Sequence, residues 1–206
     1  MMNQADWLSL MSNMGFSVNC DTYEELKKRY QEKHRKYHTV AHIESVLLEL
    51  NNARHIAENE CAVELALWFH DAIYNPFSRT NERDSADLAV AFISKNGGSK
   101  ALEETVRALI LATEHHSSLT LNDQKLIVDI DLSILGSSES EYAKFGAAIR
   151  NEYKYVPWFL FRKKRVELLE YFLDRASIFS HQYYIDALEQ RARLNIQHEI
   201  DSLKST

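Results

Sequence analysis

The sequence predicts a single all-α domain, and three observations support that prediction. Apolar residues recur at helical spacing, three and four positions apart, along most of the 206 residues. The chain has only 5 glycines and 2 prolines, too few for the many tight turns of β-sandwiches and barrels. No segment has the pattern of a convincing strand. We therefore expect about nine or ten helices in one domain over residues 1–206.

Each predicted helix combines an apolar stripe with a start or stop signal. Asp21 is the predicted cap of the second helix, and Thr39 is the predicted cap of the third. Asn75-Pro76 interrupts the pattern, because the residue before proline avoids the helical region. Ser138 and Glu141 form a capping box. The predicted helical segments are 7–14, 21–34, 40–50, 61–73, 81–94, 106–115, 126–135, one after Ser138, one from Pro157, and 183–203.

Composition and charge exclude several classes of function. The formal net charge is −6, which argues against a general binder of nucleic acids or acidic membranes. Cys20 and Cys61 are too few for a disulfide framework or a cysteine-rich zinc module. The first residues lack the pattern of a signal peptide, and no segment approaches the ~20 apolar residues of a membrane span. By elimination, we expect a cytoplasmic protein.

Histidines and aspartates in apolar surroundings are the candidates for chemistry. His38 and His42 are four positions apart, which on a helix places them on one face. The pair His70-Asp71 follows the densest apolar segment, and residues 129–131 place two aspartates around an isoleucine. Taken singly, these residues are explained as surface groups, caps or salt bridges. Taken together they indicate a metal site, because buried carboxylates are normally paired or bound to a metal.

The order His42, His70-Asp71, Asp131 resembles the H…HD…D signature of the HD-domain superfamily of metal-dependent phosphohydrolases. The chain also resembles a bacterial family described only as predicted metal-dependent HD-superfamily phosphohydrolases. That similarity covers about residues 30–200 and includes the segments 37–39, 42–46, 66–71, 81–86, 112–116, 129–136, 149–153 and 191–195.

The resemblance implies one divalent metal ion held by His42, His70, Asp71 and Asp131. Imidazole and carboxylate ligands suit Mn, Fe, Co, Ni or Zn, and Mg is a further candidate. The superfamily pattern selects Asp131 as the ligand in preference to Asp129. Asp129 is then expected to orient a ligand histidine.

The predicted catalytic residues are Asp71, at the metal, and Glu82. Glu82 follows the Asn75-Pro76 break, where it can reach the attacking water as a general acid or base. The plainer alternative for Glu82 is that it neutralises the first turn of its own helix. The sequence leaves both alternatives open.

The residues predicted to bind substrate are histidines near the signature and arginines in the C-terminal part. His38 lies close to His42 in sequence, and His115 is the candidate for contact with the leaving group. Phosphate also needs cationic partners, although the basic run 162–165 has a solvated helix face as its plainer explanation. The candidates are His38, His115, His116, Arg150, Arg162 and Arg165.

The expected activity is metal-dependent hydrolysis of a phosphate ester, either a nucleotide or another small phosphomonoester. The expected partner is therefore a small phosphorylated substrate rather than a nucleic-acid polymer or a membrane, and a homodimer is left open. The alternative is a metal-containing ligand-binding or regulatory protein with little turnover. Both alternatives require the same ligand set.

Overall fold

The computed structural model describes residues 3–114 and 119–205 of the chain. In these ranges all regular secondary structure is helical. There are ten α-helices when the last three helical segments, which continue into one another, are counted as one. The prediction of an all-α fold with nine or ten helices is confirmed. His115 and His116 lie outside the described residues, so their predicted roles stay predictions.

The helices follow one another with short connections. Short 3₁₀ segments lie at Arg54–Ile56 and Ser133–Gly136, and a π-helical turn at Ile185–Glu189 joins α10 to α11. The α-helices are α1 (Gln4–Asn13), α2 (Cys20–Tyr30), α3 (Val40–Ala53), α4 (Glu60–Phe69), α5 (Asn81–Lys95), α6 (Lys100–Ala112), α7 (Asn122–Leu132), α8 (Glu139–Glu152), α9 (Trp158–Leu173), α10 (Gln182–Tyr184) and α11 (Gln190–Ser205).

The chain divides into two compact units, residues 1–130 and residues 131–206. The division passes through the last turn of α7, so Asp131 continues a helix whose other turns belong to the first unit. Compactness alone does not show that either unit folds independently. The prediction of one domain over residues 1–206 therefore stays a prediction.

Several helix ends agree with their sequence signals. The Ser138 side chain accepts a hydrogen bond from the Glu141 amide, as the predicted capping box requires. Helix α5 begins at Asn81, after the predicted break. The prediction that Asp21 caps α2 is wrong, because Asn19 holds the cap position and Asp21 lies in the first turn. An acidic side chain is favourable both at the cap position and in the first turn, so the sequence pattern does not show which of the two positions Asp21 holds.

The predicted helical pairing of His38 and His42 is also wrong. Helix α3 begins at Val40, with Thr39 at its cap position, so His38 precedes the helix. The Thr39 side chain makes no capping hydrogen bond. His38 is therefore placed by the segment before α3 and by its neighbours, not by helical periodicity.

Helix α4 is the central element of the first unit. All its residues from Ala62 to Phe69 are buried, as the dense apolar segment predicts. The Trp7 and Trp68 rings pack edge to face with centroids 5.3 Å apart. Because α4 is packed on every side, its last turn is a rigid support for the residues that follow it.

No helix among the described residues is long and apolar enough to cross a bilayer.

Candidate metal centre

The C-terminal end of α4 carries His70 and Asp71. His70 is the C-cap residue, and its amide donates to the Ala66 carbonyl over 2.8 Å. The chain then turns away, with the Ala72 amide donating to the Phe69 carbonyl. His70 is 1% exposed, whereas the Asp71 side chain keeps 15% of its surface accessible. A buried imidazole and a partly accessible carboxylate therefore lie side by side.

Helix α3 brings His42 to the same place by packing antiparallel to α4. Near the C-terminal end of α3, Arg54 forms an ion pair with Glu64 of α4 at 2.7 Å. At the opposite end, His42 contacts His70. The apolar face of α3, which includes the buried Ile43, holds this arrangement in place.

Helix α7 carries Asp131, and its first turn is hydrogen-bonded to the residues that precede α4. The Asp123 carboxylate accepts hydrogen bonds from the amides of Glu58 and Asn59, both at 2.8 Å, immediately before α4. Asp131 lies in the last turn of α7. Ligand atoms of His42, His70 and Asp131 all lie within 4.8 Å of one another.

The distances among the converging atoms are those of neighbouring metal ligands. Nε2 of His42 lies 3.1 Å from Nε2 of His70. Oδ2 of Asp71 lies 3.4 Å from the first nitrogen and 3.2 Å from the second. Adjacent ligands around an ion with bonds of about 2.1 Å are separated by about 3.0 Å in octahedral and about 3.4 Å in tetrahedral geometry. The two nitrogens and this oxygen match that spacing.

A hydrogen bond sets the orientation of the His70 ring. Its Nδ1 lies 2.9 Å from the Leu67 carbonyl, and since a carbonyl only accepts, Nδ1 carries the proton. In the neutral ring Nε2 then presents its lone pair to His42 and Asp71. Ligand histidines in metal sites are held by the same kind of bond from the other ring nitrogen.

The surroundings of Asp71 favour its ionised form. Burial acts to raise the pKa of this carboxyl, but its interactions with the imidazoles of His70, His38 and His42 hold the pKa well below its usual range. An ionised carboxylate beside two imidazoles is a donor set that fits a divalent transition metal.

The structure therefore groups His42, His70 and Asp131 as residues that could hold a metal ion, and it places the Asp71 carboxylate beside both histidines. That all four residues bind one ion stays a prediction. Asp129 is completely buried in the preceding turn of α7, and its predicted role in orienting a ligand stays a prediction.

Arg35 organises this site, and the sequence analysis missed it. Its buried guanidinium donates to the carbonyls of Asp71 at 2.7 Å, Ala72 at 3.0 Å and His38 at 3.2 Å. Two of these carbonyls follow the end of α4, where helix geometry leaves acceptors without partners. Arg35 thus fixes the turn that carries Asp71 and the segment that carries His38. Arg35 also pairs with the Glu32 carboxylate at 2.9 Å, but its other three partners are backbone carbonyls, which leave no signal in the sequence.

Tyrosines complete the support around Arg35 and His38. The Arg35 guanidinium lies over the rings of Tyr30 and Tyr74, at 5.2 and 5.4 Å. The Tyr30 hydroxyl donates to the Trp68 carbonyl over 2.9 Å. The His38 ring stacks on Tyr74 with centroids 4.2 Å apart and lies edge-on to His42 at 5.9 Å. His38 is therefore beside the ligand cluster, although its contact with substrate stays a prediction.

The loop between Asp71 and α5 is attached to the first turns of that helix. The Ser85 hydroxyl accepts from the Ile73 amide, and Asn81 exchanges two hydrogen bonds with the backbone of Asn75, each 3.0 Å long. Glu82 lies between these two anchors and is half-buried. This attachment holds the first turn of α5 against the loop that leaves Asp71. The catalytic role of Glu82 stays a prediction.

We predict that Glu82→Gln leaves metal binding intact and lowers kcat. General acid–base assistance is typically worth about 10²–10⁴-fold, so the loss in a steady-state assay is expected to be large. Asp84→Asn, in the same helical turn, is the matched control, because Asp84 accepts a hydrogen bond from Thr80 and serves the helix start. If Glu82→Gln keeps parental kcat and loses only about 1 kcal/mol of stability, Glu82 is a helix-start residue.

The three candidate arginines lie in the second unit and make contacts there. Arg150 donates to the Tyr153 carbonyl at 2.6 Å, and Arg162 lies 3.4 Å from the Leu203 carbonyl. Arg165 is buried and forms two hydrogen bonds with Glu199, at 2.8 and 3.0 Å. These contacts support structural roles. A role in substrate binding stays a prediction for all three.

Arg165 belongs to a buried cluster with Glu199 and Tyr142. The Tyr142 hydroxyl donates to Glu199 over 2.5 Å, and both burial and the Glu199 charge raise the pKa of Tyr142. We predict that Arg165→Met lowers the free energy of unfolding by about 2–3 kcal/mol, because it leaves the Glu199 carboxylate uncompensated. Urea denaturation measures this loss, and the double variant Arg165→Met/Glu199→Gln should recover part of it. A raised KM at unchanged stability would instead indicate that Arg165 contacts substrate.

Comparisons of the chain with models of protein families, with curated proteins and with solved structures find no match. The chemistry of the site therefore has to be inferred from its own geometry.

Proposed function

We propose that the protein is a metal-dependent phosphohydrolase whose catalytic centre is the cluster of His42, His70, Asp71 and Asp131. The observation that carries the proposal is the approach of the two Nε2 atoms to 3.1 Å, with Oδ2 of Asp71 within 3.4 Å of both. Two imidazole nitrogens approach so closely only when a proton or a cation lies between their lone pairs. The nearby carboxylates favour the cation.

The chain's own residues prepare this centre in three ways. The Leu67 carbonyl holds the Nδ1 proton of His70 and thereby orients Nε2 toward the cluster, and Arg35 fixes the turn that presents Asp71. Burial of His42 and His70 excludes bulk water from one side, while the partly accessible Asp71 marks the open side. A divalent metal bound there supplies Lewis-acid activation of water and of the phosphoryl group. Glu82 is proposed to accept or deliver the proton during attack on phosphorus.

The proposed substrate is a small phosphate ester, with nucleotides as the first candidates. Histidine and tyrosine side chains border the cluster at His38 and Tyr74, and their rings are stacked on each other. His38 is the proposed hydrogen-bond donor to the substrate phosphate from this side. Two points support this proposed substrate class: the resemblance to the HD-domain superfamily and the His38 and Tyr74 rings beside the cluster.

A substrate panel tests the proposal. The purified chain is loaded with Mn²⁺, Co²⁺, Ni²⁺, Zn²⁺ or Mg²⁺ and assayed on phosphomonoesters, cyclic nucleotides and nucleoside triphosphates. The proposal expects phosphate release that chelation abolishes and metal restores. His42→Ala should be inactive, whereas His198→Ala, which changes an exposed histidine on α11, should be fully active. Metal bound by the parent without turnover of any substrate would favour a metal-containing binding or regulatory protein instead.

A further inference from the structure

Helix α9 presents apolar side chains to solvent on the face opposite its buried stripe. The buried stripe comprises Phe161, Arg165, Leu169 and Phe172. On the other side, Leu160 is 45% and Tyr171 is 42% exposed. At 100° per residue, Leu160, Lys164, Glu167 and Tyr171 fall within about 60° of one another around the helix. They form a continuous surface, here called the α9 face, which Leu168 extends at its edge.

Charges on α9 are separated along its length. The first half carries the cations Arg162, Lys163 and Lys164. The acids Glu167 and Glu170 lie in the second half, where Glu170 also pairs with Lys204 of α11 at 2.7 Å. Within the chain, Lys164 pairs with Glu167 at 2.7 Å, which places both groups at the middle of the α9 face. A helix that is basic in one half and acidic in the other is electrostatically complementary to an antiparallel copy of itself.

We propose that the α9 face associates with the α9 face of a second copy of this chain as an antiparallel helix pair. With the two-fold axis between Arg165 and Val166, Leu160 faces Tyr171 of the second copy, and Lys164 faces Glu167 of the second copy. Every contact then occurs twice, as a two-fold interface requires. The apolar contacts lie at the two ends and the charge pairs near the axis.

The same observations favour a second copy over a lipid surface. An anionic bilayer attracts Lys163 and Lys164 but repels Glu167 and Glu170 on the same helix. An antiparallel copy pairs each basic half with an acidic half. The proposal does not depend on the metal centre, since no residue of the α9 face belongs to the cluster of His42, His70, Asp71 and Asp131.

Sedimentation velocity of the full chain tests the association. The proposal expects a dimer at micromolar concentration and a monomer for Leu160→Glu. The matched control is Leu194→Glu, which changes a 52% exposed leucine on α11 and should remain dimeric. Circular dichroism melting curves establish that each variant is folded. A monomeric parent, or a Leu160→Glu variant that dimerises like the parent, would overturn the proposal.

A charge exchange tests the register without removing any apolar contact. Lys164→Glu and Glu167→Lys should each raise the dimer dissociation constant by about tenfold or more, because like charges then face each other across the axis. An equimolar mixture of the two variants should restore the parental dissociation constant, since opposite charges face each other in the mixed dimer. The intrachain pairs stay like-charged in the mixture, so only contact between copies explains a recovery. If the mixture has a dissociation constant as high as that of either variant alone, the proposed register is wrong and the proposal is overturned.

Discussion

Asp131→Ala is expected to lose its divalent metal and to have no measurable metal-dependent activity. Asp131 offers a carboxylate oxygen within 4.8 Å of ligand atoms of His42 and His70, and the last turn of α7 presents it to them. Without it, the two histidines and Asp71 form an incomplete ligand set. Because a catalytic metal supplies several kcal/mol of transition-state stabilisation, the loss of activity should reach at least about 10³-fold.

Metal content after dialysis, measured by elemental mass spectrometry, checks this prediction. Asp129→Ala removes the buried carboxylate in the preceding turn, and it should weaken metal retention or disturb folding rather than abolish retention. Asp201→Asn alters an exposed aspartate on α11 and should match the parent. Equal metal content in Asp131→Ala and the parent would show that Asp131 is not a ligand.

Arg35→Ala is expected to cause the largest loss of stability, about 4–5 kcal/mol, because three carbonyls lose a buried charged donor at once. The same change frees the turn that carries Asp71, so metal affinity should fall as well. Arg35→Lys keeps the charge, but a single ammonium group lacks the fork that spans these carbonyls. We therefore expect it to recover only part of both losses.

Urea denaturation and calorimetric metal titration separate the two effects of Arg35. Arg29→Ala, in the same charged region, removes a half-exposed arginine paired with Glu25 and should cost at most about 1 kcal/mol. If Arg35→Ala is destabilised but binds metal with parental affinity, then Arg35 stabilises the fold without positioning the ligands.

The fold and the ligand set depend on different kinds of information in the sequence. Helix order, the break at Asn75-Pro76 and the Ser138 cap are local, so spacing and capping chemistry predicted them. The approach of His42 and Asp131 to His70 is a tertiary contact. The sequence predicted this contact only through the resemblance to the H…HD…D signature, because no local pattern in α3 or α7 specifies which helix the other one contacts.

The interactions that position the site had almost no sequence signal. Arg35 lies among charged residues and resembles a surface residue in the sequence, yet its side chain is buried and donates to three backbone carbonyls as well as to Glu32. Side chains of residues 191–195 also donate to backbone carbonyls. Arg191 and Asn195 donate to carbonyls of residues 135–137, and Arg193 donates to those of residues 173–176. In this structure these side chains therefore cap the C-terminal ends of two helical segments.

The most direct test of the metal centre is anomalous diffraction from crystals grown with Mn²⁺ or Co²⁺. We predict one strong peak located about 2.0–2.3 Å from Nε2 of His42, Nε2 of His70 and carboxylate oxygens of Asp71 and Asp131. A peak that contacts other residues, or well-ordered side chains of these four residues with no peak among them at saturating metal, would contradict it.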